Sequence, residues 1–490
     1  MTVSDPGAMA PGADVLATSE AGPAAVRGGV LRVAGYLFGV ALSVVSAALL
    51  FRHLGVRDGG RYVTVISLVA LFGGLTEAGL ASIAVRELSA GPALERRELM
   101  RDVVGLRFAL SVVAGLAAVA FAVVVGYSPT MIEGAALAAA GMIVQSIQVT
   151  WSAALTARLR FGWVTALDLT RQVVTVGGIV VLVAVGAGLL PFLFLAIPAA
   201  LAAAVPTAML IRGEVPLRPR FDRAVWVSLL RDVLPYAAAT AVAAVYFRVS
   251  LILVSLLSNA EQTGYFGASF RVVEVLFLIP VLAVGTAFPI FARAAGSDAH
   301  RLRFAVQRVA DVTATLGALV VVGVFVGAPG IIAVIAGGDF APAAAVLRIQ
   351  CLGLLGSFLA AVWGFALLSL GRHRALLLLA LGPLVVNAGL TAALAPAHGA
   401  RGGAIATAVG ELVLASAGAV VLLRAMRPDG ISLRGAGRAL ALAVPCGALA
   451  LVHGVPTLAL AVLAGAIYLV LLGATGGLPG DLIADLRARR

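Results

Sequence analysis

The sequence predicts an all-α polytopic membrane protein with about 14 transmembrane helices, on three observations. Of its 490 residues, 61% are hydrophobic and only 12% are charged, whereas a soluble globular protein is about half apolar and a quarter charged. The apolar residues fall in runs of about 20, the length that a spanning helix needs. The arginines collect in alternate breaks between these runs, as they do in cytoplasmic loops of membrane proteins. This composition excludes a soluble enzyme, a disordered chain and a fibrous protein.

Fourteen apolar runs, each bounded by polar or turn-forming residues, are the predicted spans. They are 31–51, 61–85, 103–126, 131–157, 170–190, 192–211, 233–257, 264–291, 305–327, 342–370, 375–395, 402–423, 437–452 and 456–473. Two of the breaks between them are short and contain a proline, Pro191 and Pro456. Each proline would either turn the chain or kink one longer helix.

The basic residues predict which side of the membrane each loop occupies. All 35 are arginine. With the N-terminus in the cytoplasm, 27 arginines fall in inner segments, four in outer loops (Arg52, Arg57, Arg61 and Arg401) and four within spans. Arginine is enriched on the cytoplasmic side of membranes. We therefore predict a multi-pass protein of the bacterial cytoplasmic membrane with both termini inside and no nucleic-acid partner, although the net charge is +12.

Several kinds of chemistry are excluded by residues that the sequence lacks or scatters. Without lysine there is no phosphate-binding loop and no Schiff-base chemistry. The two cysteines, Cys351 and Cys446, lie in apolar runs, and the five histidines have no metal-ligand spacing. No loop is long enough for a nucleotide-binding domain. We expect no enzyme activity, no catalytic residue, no metal and no cofactor.

A short motif occurs twice, once at the first hairpin of each half of the chain. Residues 58–62 read Asp-Gly-Gly-Arg-Tyr, and residues 261–265 read Glu-Gln-Thr-Gly-Tyr. The acidic residue and the tyrosine recur at an offset of 203 positions. Internal repeats are a frequent construction in transporters.

Longer segments around these hairpins carry a family resemblance. The first hairpin contains Leu54-Gly55, Gly60-Arg61-Tyr62, Glu77-Ala78-Gly79-Leu80 and Arg86, and the second region contains Gly264-Tyr265, Phe270-Arg271 and Glu274. With segments 340–374 and 385–412, they make residues 30–425 resemble the polysaccharide transporter (oligosaccharide flippase) family of the multidrug/oligosaccharidyl-lipid/polysaccharide (MOP) exporter superfamily. Many members carry Arg-x-Asp in the seventh span, whereas here Arg248 is followed by Val249 and Ser250.

The resemblance implies a MATE-like domain organisation. Residues 1–29 would be a disordered cytoplasmic tail, followed by an N-terminal six-helix lobe at 30–211 and a cytoplasmic linker at 212–232. A pseudo-symmetric C-terminal lobe at 233–424 would face the first across a central cavity. Two additional helices at 425–473 and a cytoplasmic tail at 474–490 would complete the chain.

The resemblance also implies a function. Members turn polyprenyl-pyrophosphate-linked sugars across the membrane by alternating access, for surface polysaccharide biosynthesis. The expected partners are a lipid-linked oligosaccharide, which is an anionic amphiphile, and the lipid bilayer. H⁺ or Na⁺ is the candidate coupling ion, and the polysaccharide-synthesis machinery is a candidate protein partner.

Ionisable and polar residues inside spans are the candidate functional residues, because they are costly there and usually face a wet cavity or a partner. The candidate substrate-binding residues are Arg248, Arg271, Glu274, Arg348, Gln145 and Gln148. The candidate coupling residues are Glu77 and Glu411, isolated acids that would carry a proton or be neutral and hydrogen-bonded.

Arg248 is the most informative of them. It lies about nine residues from the end of its span, or roughly 14 Å deep, and would either pair with Glu274 or Glu411 or bind a pyrophosphate through its forked donors. Arg271 and Glu274 are three residues apart and would pair on one helix face or both line the cavity. Arg107, close to the predicted start of its span, is expected to reach the membrane interface.

The other candidates leave two interpretations open. Arg348 lies roughly 9 Å from the outer end of its span and would either reach the interface or line the cavity. Gln145 and Gln148 would bind sugar hydroxyls or join neighbouring helices by hydrogen bonds.

Three other functions are compatible with parts of this pattern. A MATE-type drug/cation antiporter would have the same fold, but the mixture of arginines and acids within the spans favours an anionic substrate. A lipid II flippase shares the fold and the arginines. A membrane glycosyltransferase or polymerase is disfavoured, because the outer loops are too short to hold its catalytic residues.

Overall fold

The computed structural model describes residues 21–77, 93–213, 216, 218–296, 299–426, 432, 434–452 and 454–475. These residues form helices joined by short turns, and no strand occurs among them. The predicted all-α fold class is confirmed.

The helices, in chain order, are α1 (Ala21–Glu77), α2 (Ala93–Val124), α3 (Pro129–Ala157), α4 (Phe161–Ala184), α5 (Leu189–Phe194), α6 (Ala196–Ile211), α7 (Arg223–Leu257), α8 (Ala260–Leu276), α9 (Leu278–Gly285), α10 (Phe288–Ala295), α11 (Ala299–Ile335), α12 (Ala343–Ser369), α13 (His373–Ala425), α14 (Arg434–Gly447) and α15 (Thr457–Ala474). Short 3₁₀ turns occur at Gly338–Phe340 and Ala448–Leu451.

Every predicted span corresponds to helix in the described residues. Within the part of the chain that the structure describes, eleven helical stretches are long and apolar enough to cross a membrane. Two of them, Phe38–Glu77 and His373–Ala425, each contain two predicted spans, joined at Gly55 (φ 69°) and Gly399 (φ 52°). Only glycine adopts this backbone conformation without strain. The predicted span 437–452 is α14 with the 3₁₀ turn that follows it.

The chain reverses at these two glycines without a connecting loop. Beyond Gly399, the position of Gly410 lies against the Asn387 side chain, although 23 residues of straight helix would separate them by about 35 Å. Gly59 likewise lies against the Phe51 ring across the turn at Gly55. Each of these two predicted outer loops is therefore a single-residue turn.

Some helix boundaries in the structure differ from those predicted from the sequence. The break assigned to Pro191 lies earlier, at 185–188, and Pro191 is in the first turn of α5, where its missing N–H costs nothing. The break before Pro456 is confirmed. Helix α1 starts at Ala21, within the predicted tail, and α7 starts at Arg223, within the predicted linker. Residues 1–20 and 476–490, which hold most of the predicted tails, lie outside the described residues, as do Ala78–Leu80 and Arg86.

By their internal contacts, the residues divide into two compact units. Unit 1 comprises the chain up to Ser46 and Phe72–Thr240, and unit 2 comprises Ala47–Leu71 and the chain from Ala241 onward. The second unit therefore includes the turn at Gly55, which is far from the rest of that unit in sequence.

In unit 1, small residues bring helices into backbone contact. A side chain at Gly141 of α3 would overlap the backbone of Ala196 in α6, and one at Gly134 would overlap Leu193 of α5. Gly39 of α1 is similarly close to the Gln172 side chain of α4. Close approach at small residues compensates in a bilayer for the weak hydrophobic drive between helices.

The start of α7 and the residues just before it are hydrogen-bonded to α2. The Arg220 amide donates to the Arg101 carbonyl at 3.0 Å, and the Trp226 indole N–H donates to the Asp102 carbonyl at 3.1 Å. Gly105 faces the Arg220 carbonyl, where no larger residue would fit. The predicted linker is therefore held on unit 1 at its C-terminal end.

In unit 2, the two copies of the repeated motif contact each other. A Cβ atom on Gly60 would lie 2.7 Å from the Gly264 nitrogen, and one on Gly264 would overlap the Val56 carbonyl. The two backbones are in direct contact, so α1 crosses α8 at the motifs that the sequence repeats.

Helices α10, α12, α14 and α15 of unit 2 pack against α11, whereas α13 packs against α12. The C-terminal helices α14 and α15 cover one side of it with a buried apolar cluster that includes Val322, Cys446 and Tyr468. At the end of α11, the Arg52 guanidinium donates to the Ala333 and Val334 carbonyls, each at 2.9 Å. A cation there satisfies terminal carbonyls and opposes the negative end of the helix dipole.

The contact at Gly264 yields a stability prediction. Gly264→Ala should lower the thermal unfolding temperature of the purified protein, because overpacking a close helix crossing costs about 1–3 kcal/mol. Gly389→Ala is the matched control. A Cβ atom at that position would meet no atom of another helix within 4 Å, and alanine favours helix, so the melting temperature of this variant should be unchanged or slightly higher. Equal melting of the two variants would show that the crossing does not constrain the fold.

Candidate substrate and coupling sites

In unit 2, one carboxylate is shared by two arginines. Glu274 Oε1 accepts a hydrogen bond from Arg248 Nη2 at 2.6 Å, and Oε2 accepts one from Arg271 Nη1 at 2.7 Å. Arg248 comes from α7, while the other two residues are one turn apart on α8. The predicted pairing of Arg271 with Glu274 is confirmed, and of the two acids considered for Arg248, Glu274 is its partner. The acid that the Arg-x-Asp motif lacks is supplied from the next helix.

The guanidinium of Arg248 is enclosed by further groups of unit 2. Nη1 donates to the Ser67 hydroxyl of α1 at 3.1 Å. The guanidinium carbon lies 5.3 Å from the Phe247 ring centroid and 5.5 Å from that of Phe270, within cation–π range. The side chains of Arg248 and Glu274 are 18% and 20% exposed, and that of Arg271 is 41% exposed. The cluster is buried on one side and open on the other.

This cluster has a charge that one anion would balance. Two guanidinium groups and one carboxylate leave a formal charge of +1. An anion that reaches the open side, next to Arg271, competes with Glu274 for the same forked donors. The arrangement therefore suits reversible binding of a phosphate-like group.

A second polar site in unit 2 surrounds Glu411, whose side chain is buried (4% exposed). Its Oε1 accepts from the Tyr246 hydroxyl at 2.8 Å and its Oε2 from the Ser357 hydroxyl at 2.7 Å. The glycines Gly353 and Gly356 of α12 let that helix touch Glu411 and its backbone. The two hydrogen bonds to the carboxyl group thus come from neutral hydroxyls, in contrast with Glu274.

A hydrogen-bonded group of small polar residues lies on the same helices. Ser250 of α7 donates to Asn387 Oδ1 of α13 at 2.8 Å, and Thr391 is within 3.5 Å of both oxygens. These three residues are buried. They join α7 to α13 beside the helix positions that carry Arg248 and Glu411.

Two predicted residues of unit 1 have different environments. The Gln148 amide nitrogen lies 2.9 Å from the Ser152 hydroxyl and 3.3 Å from the Thr207 hydroxyl of α6, so it forms the helix-joining contact that was one of its two interpretations. Gln145 is partly buried on the same helix. A role for either residue in sugar binding remains a prediction.

Arg348 is held by the backbone of a neighbouring helix. Its Nε donates to the Phe325 carbonyl at 3.1 Å, and its guanidinium lies 5.7 Å from the Phe325 ring centroid. Binding of substrate by Arg348 would have to act through its remaining donors, and it stays a prediction.

The expectation that Arg107 reaches the membrane interface is wrong. The side chain is buried, and Nη1 donates to the Thr76 carbonyl of α1 at 2.9 Å. Helix α2 begins at Ala93, ten residues before the predicted span, so Arg107 lies well inside the helix. The neighbouring Glu77 is exposed and within electrostatic range of Arg107. Its coupling role remains a prediction.

Sequence analysis did not identify Tyr246, Ser357 or Ser67 as site residues. Each is an uncharged polar residue in an apolar span, and such residues are too common to distinguish without their partners. Tyr246 also lines an apolar cavity of about 160 Å³ with Trp363 and Pro383.

These features define the class: a multi-pass helical membrane protein with polar sites inside its spans, of the transporter type. A model of the polysaccharide biosynthesis protein family matches residues 49–345, more than half of the sequence, and the chain belongs to that family. Its family resemblance is thereby confirmed. No curated protein matches the chain.

Solved structures of transporters share the fold. The lipid II flippase MurJ, in an inward closed conformation, superposes with a TM-score of 0.76 at 13% identity, covering 93% of this chain and 100% of that one. An inward-facing multidrug resistance MATE family transporter of the MOP superfamily gives 0.62 at 14% identity, covering 79% and 94%. A MOP superfamily transporter from Pyrococcus furiosus, in which reverse polarity of the binding pocket suggests a different function, gives 0.56 at 15%, covering 83% and 96%. The predicted MATE-like fold is confirmed.

The shared carboxylate yields a prediction about stability. Glu274→Ala should lower the unfolding free energy by about 3 kcal/mol, because it removes the counter-ion of the partly buried Arg248 guanidinium. Asp58→Ala is the matched control, since Asp58 and Arg61 form an i,i+3 pair of the same kind with side chains 40% and 33% exposed. Loss of such an exposed pair costs about 1 kcal/mol or less. Thermal unfolding of the purified proteins measures the loss of stability in each variant. A similar loss in the two variants would contradict the assigned role of Glu274.

Proposed function

We propose that the protein flips a lipid-linked oligosaccharide or polysaccharide precursor, carried on a polyprenyl pyrophosphate, from the inner to the outer leaflet of the bacterial cytoplasmic membrane. Transport proceeds by alternating access and serves surface polysaccharide biosynthesis. The observation that carries the proposal is the Arg248–Glu274–Arg271 cluster, since an intramembrane pair of arginines suits an anionic headgroup.

The substrate class follows from the chemistry of that cluster. A diphosphate offers several oxygens to two guanidinium forks, and each fork matches a phosphate in a bidentate geometry. Glu274 holds both arginines in the empty site and is displaced from one of them when the diphosphate arrives. Because the carboxylate returns when the anion leaves, Arg248 has a counter-charge in both states.

Family membership supports the sugar part of the substrate, and the fold supports movement of an amphiphile. The matching family is one of polysaccharide biosynthesis proteins. A MurJ-like fold belongs to a protein that flips a lipid-linked substrate. A lipid tail can remain in the bilayer while only the polar headgroup crosses the protein.

The proposal includes coupling to a proton at Glu411. Among the described residues, the hydrogen bonds to the buried Glu411 carboxyl group come from the Tyr246 and Ser357 hydroxyls, and none comes from a cation. Such a group takes up a proton or a cation at modest cost, whereas a bare buried carboxylate is unfavourable. Cycling of this proton would bias the two access states of the transporter.

A drug/cation antiporter is the second candidate. The observation that favours it is the likeness to MATE family transporters, together with the buried acid Glu411. Organic cations would be repelled by the net positive charge of the Arg248 cluster, which is why the flippase is preferred.

In a deletion strain, lipid-linked oligosaccharide should accumulate in the inner leaflet while surface glycan disappears. Arg248→Ala should fail to restore the glycan at normal membrane expression. Arg248→Lys should restore part of it, because it keeps the charge but loses the fork. Arg57→Ala, an exposed arginine of a predicted outer loop, is the control and should restore it fully.

Three results would contradict this assignment. Full activity of Arg248→Ala would remove the cluster from the mechanism. Intact surface glycan with sensitivity to cationic drugs would favour the antiporter. Bonds made or broken in the lipid-linked substrate in liposomes would identify an enzyme.

Flipping in liposomes should respond to an imposed pH gradient in the wild type and lose that response in Glu411→Gln, which cannot exchange a proton. Glu261→Gln, which changes an exposed acid of the same unit, should retain the response. A fluorescent lipid-linked sugar and a membrane-impermeant quencher provide the rate. A rate that follows Na⁺ rather than pH, or an unchanged response in Glu411→Gln, would exclude the proton.

A further inference from the structure

A polar cavity of about 480 Å³ lies in unit 2, apart from the residues already assigned. This volume is within the range of about 300–1,000 Å³ that is typical of small-molecule sites. Three chain segments form it: the turn before α8, the start of α12 and the reversal of α13. The sequence predicts all three on the outer side of the membrane.

Two amide side chains at this cavity have fixed orientations. Asn259 Oδ1 accepts from the Gln262 backbone N–H at 2.9 Å, and Gln262 Oε1 accepts from the Ala400 backbone N–H at 3.0 Å. Because backbone N–H groups can only donate, they determine which end of each amide is the oxygen. The NH₂ end of each of these two lining side chains is thereby identified as a donor.

Acceptors and an aromatic ring complete the lining. The segment Ala395–His398, at the end of the first half of α13, lines the cavity, and terminal carbonyls of a helix lack intrahelical partners. The partly buried Tyr265 ring is positioned edge-on by Phe340, at a centroid distance of 6.5 Å. Donors, acceptors and an aromatic surface together suit the hydroxyl groups and C–H faces of a sugar.

The charge of the cavity selects among sugars. Arg401 and His398 contribute to the lining, and none of the lining residues is acidic. A guanidinium in this position pairs with a carboxylate through charge-assisted hydrogen bonds. A carboxylate-bearing sugar is therefore favoured over a neutral one.

We propose that this cavity is a saccharide subsite for one or two sugars of the transported glycan, with preference for a uronic acid. The identity of the ligand in this proposal rests on the proposed function. The subsite would bind sugars of the glycan once they reach the outer side of the membrane. Binding there would favour release of the substrate on that side.

The test uses the purified full-length protein in nanodiscs, which leave both faces accessible, with di-galacturonate and maltose as soluble probes. Saturation-transfer NMR should detect di-galacturonate on the wild type. Arg401→Gln should weaken its binding about tenfold, the loss expected for one charge-assisted hydrogen bond. Maltose should bind more weakly than di-galacturonate and be unaffected by Arg401→Gln. Tyr265→Ala should weaken binding of both probes.

Arg57→Ala is the control, because this exposed arginine is on the same predicted face but does not line the cavity, and its binding should equal the wild type. Ala397→Cys gives an independent readout, since both native cysteines are buried. Di-galacturonate should slow the reaction of this cysteine with a maleimide, and Arg401→Gln should remove the protection.

The subsite would be overturned if neither saccharide bound, or if Arg401→Gln and Arg57→Ala had the same affinity as the wild type. Because Arg401 is exposed, its variant should fold even if Tyr265→Ala does not. Arg248→Ala should keep saccharide binding while losing flipping. If the wild-type protein binds soluble sugar but flips no lipid, the proposed function is rejected and the subsite is retained. If it flips lipid but binds no sugar, only the subsite is rejected.

Discussion

The requirement that a charge inside a membrane span be compensated governs the arrangement around Arg248 in unit 2. Glu274 satisfies it for two arginines at once, and the arrangement determines how α7 and α8 of unit 2 face each other. The aromatic rings around Arg248 and the Ser67 hydroxyl supplement the carboxylate but do not replace it. The ion pairs and the proposed ligand site therefore use the same groups, because the guanidinium groups that pair with Glu274 are those that an anion would bind.

Close helix contact is the second constraint, and it depends on residues without side chains. The crossing of α1 and α8 at Gly60 and Gly264 places residues 47–71 in the same unit as α8. It also positions Ser67, one to two turns further along α1, against Arg248. Backbone contact at the repeated motif and polar contact at the arginine are thus two parts of one packing arrangement.

Much of the fold could be predicted, because the length of an apolar run indicates a membrane-spanning helix and the arginines indicate the side of the membrane on which each loop lies. The fourteen runs follow from hydrophobic length, and spacing and the cost of buried charge made Glu274 a candidate partner for Arg271 and one of two for Arg248. Partners that come from distant helices could not be found this way. Neither the Tyr246 and Ser357 contacts of Glu411 nor the burial of Arg107 against Thr76 has a local signal. The sequence predicted an interfacial Arg107 because this residue lies near the start of its apolar run, whereas its burial depends on the contact with Thr76 of α1.

The single-residue turns at Gly55 and Gly399 also constrain how this family member can diverge. Insertions and deletions accumulate in surface loops, where extra residues have room. An added residue at either turn would disturb the close packing of the helices on its two sides, since Gly59 lies against Phe51 and Gly410 lies against Asn387. We therefore expect longer connections, such as the segment before α7, to tolerate changes in length better than these two turns.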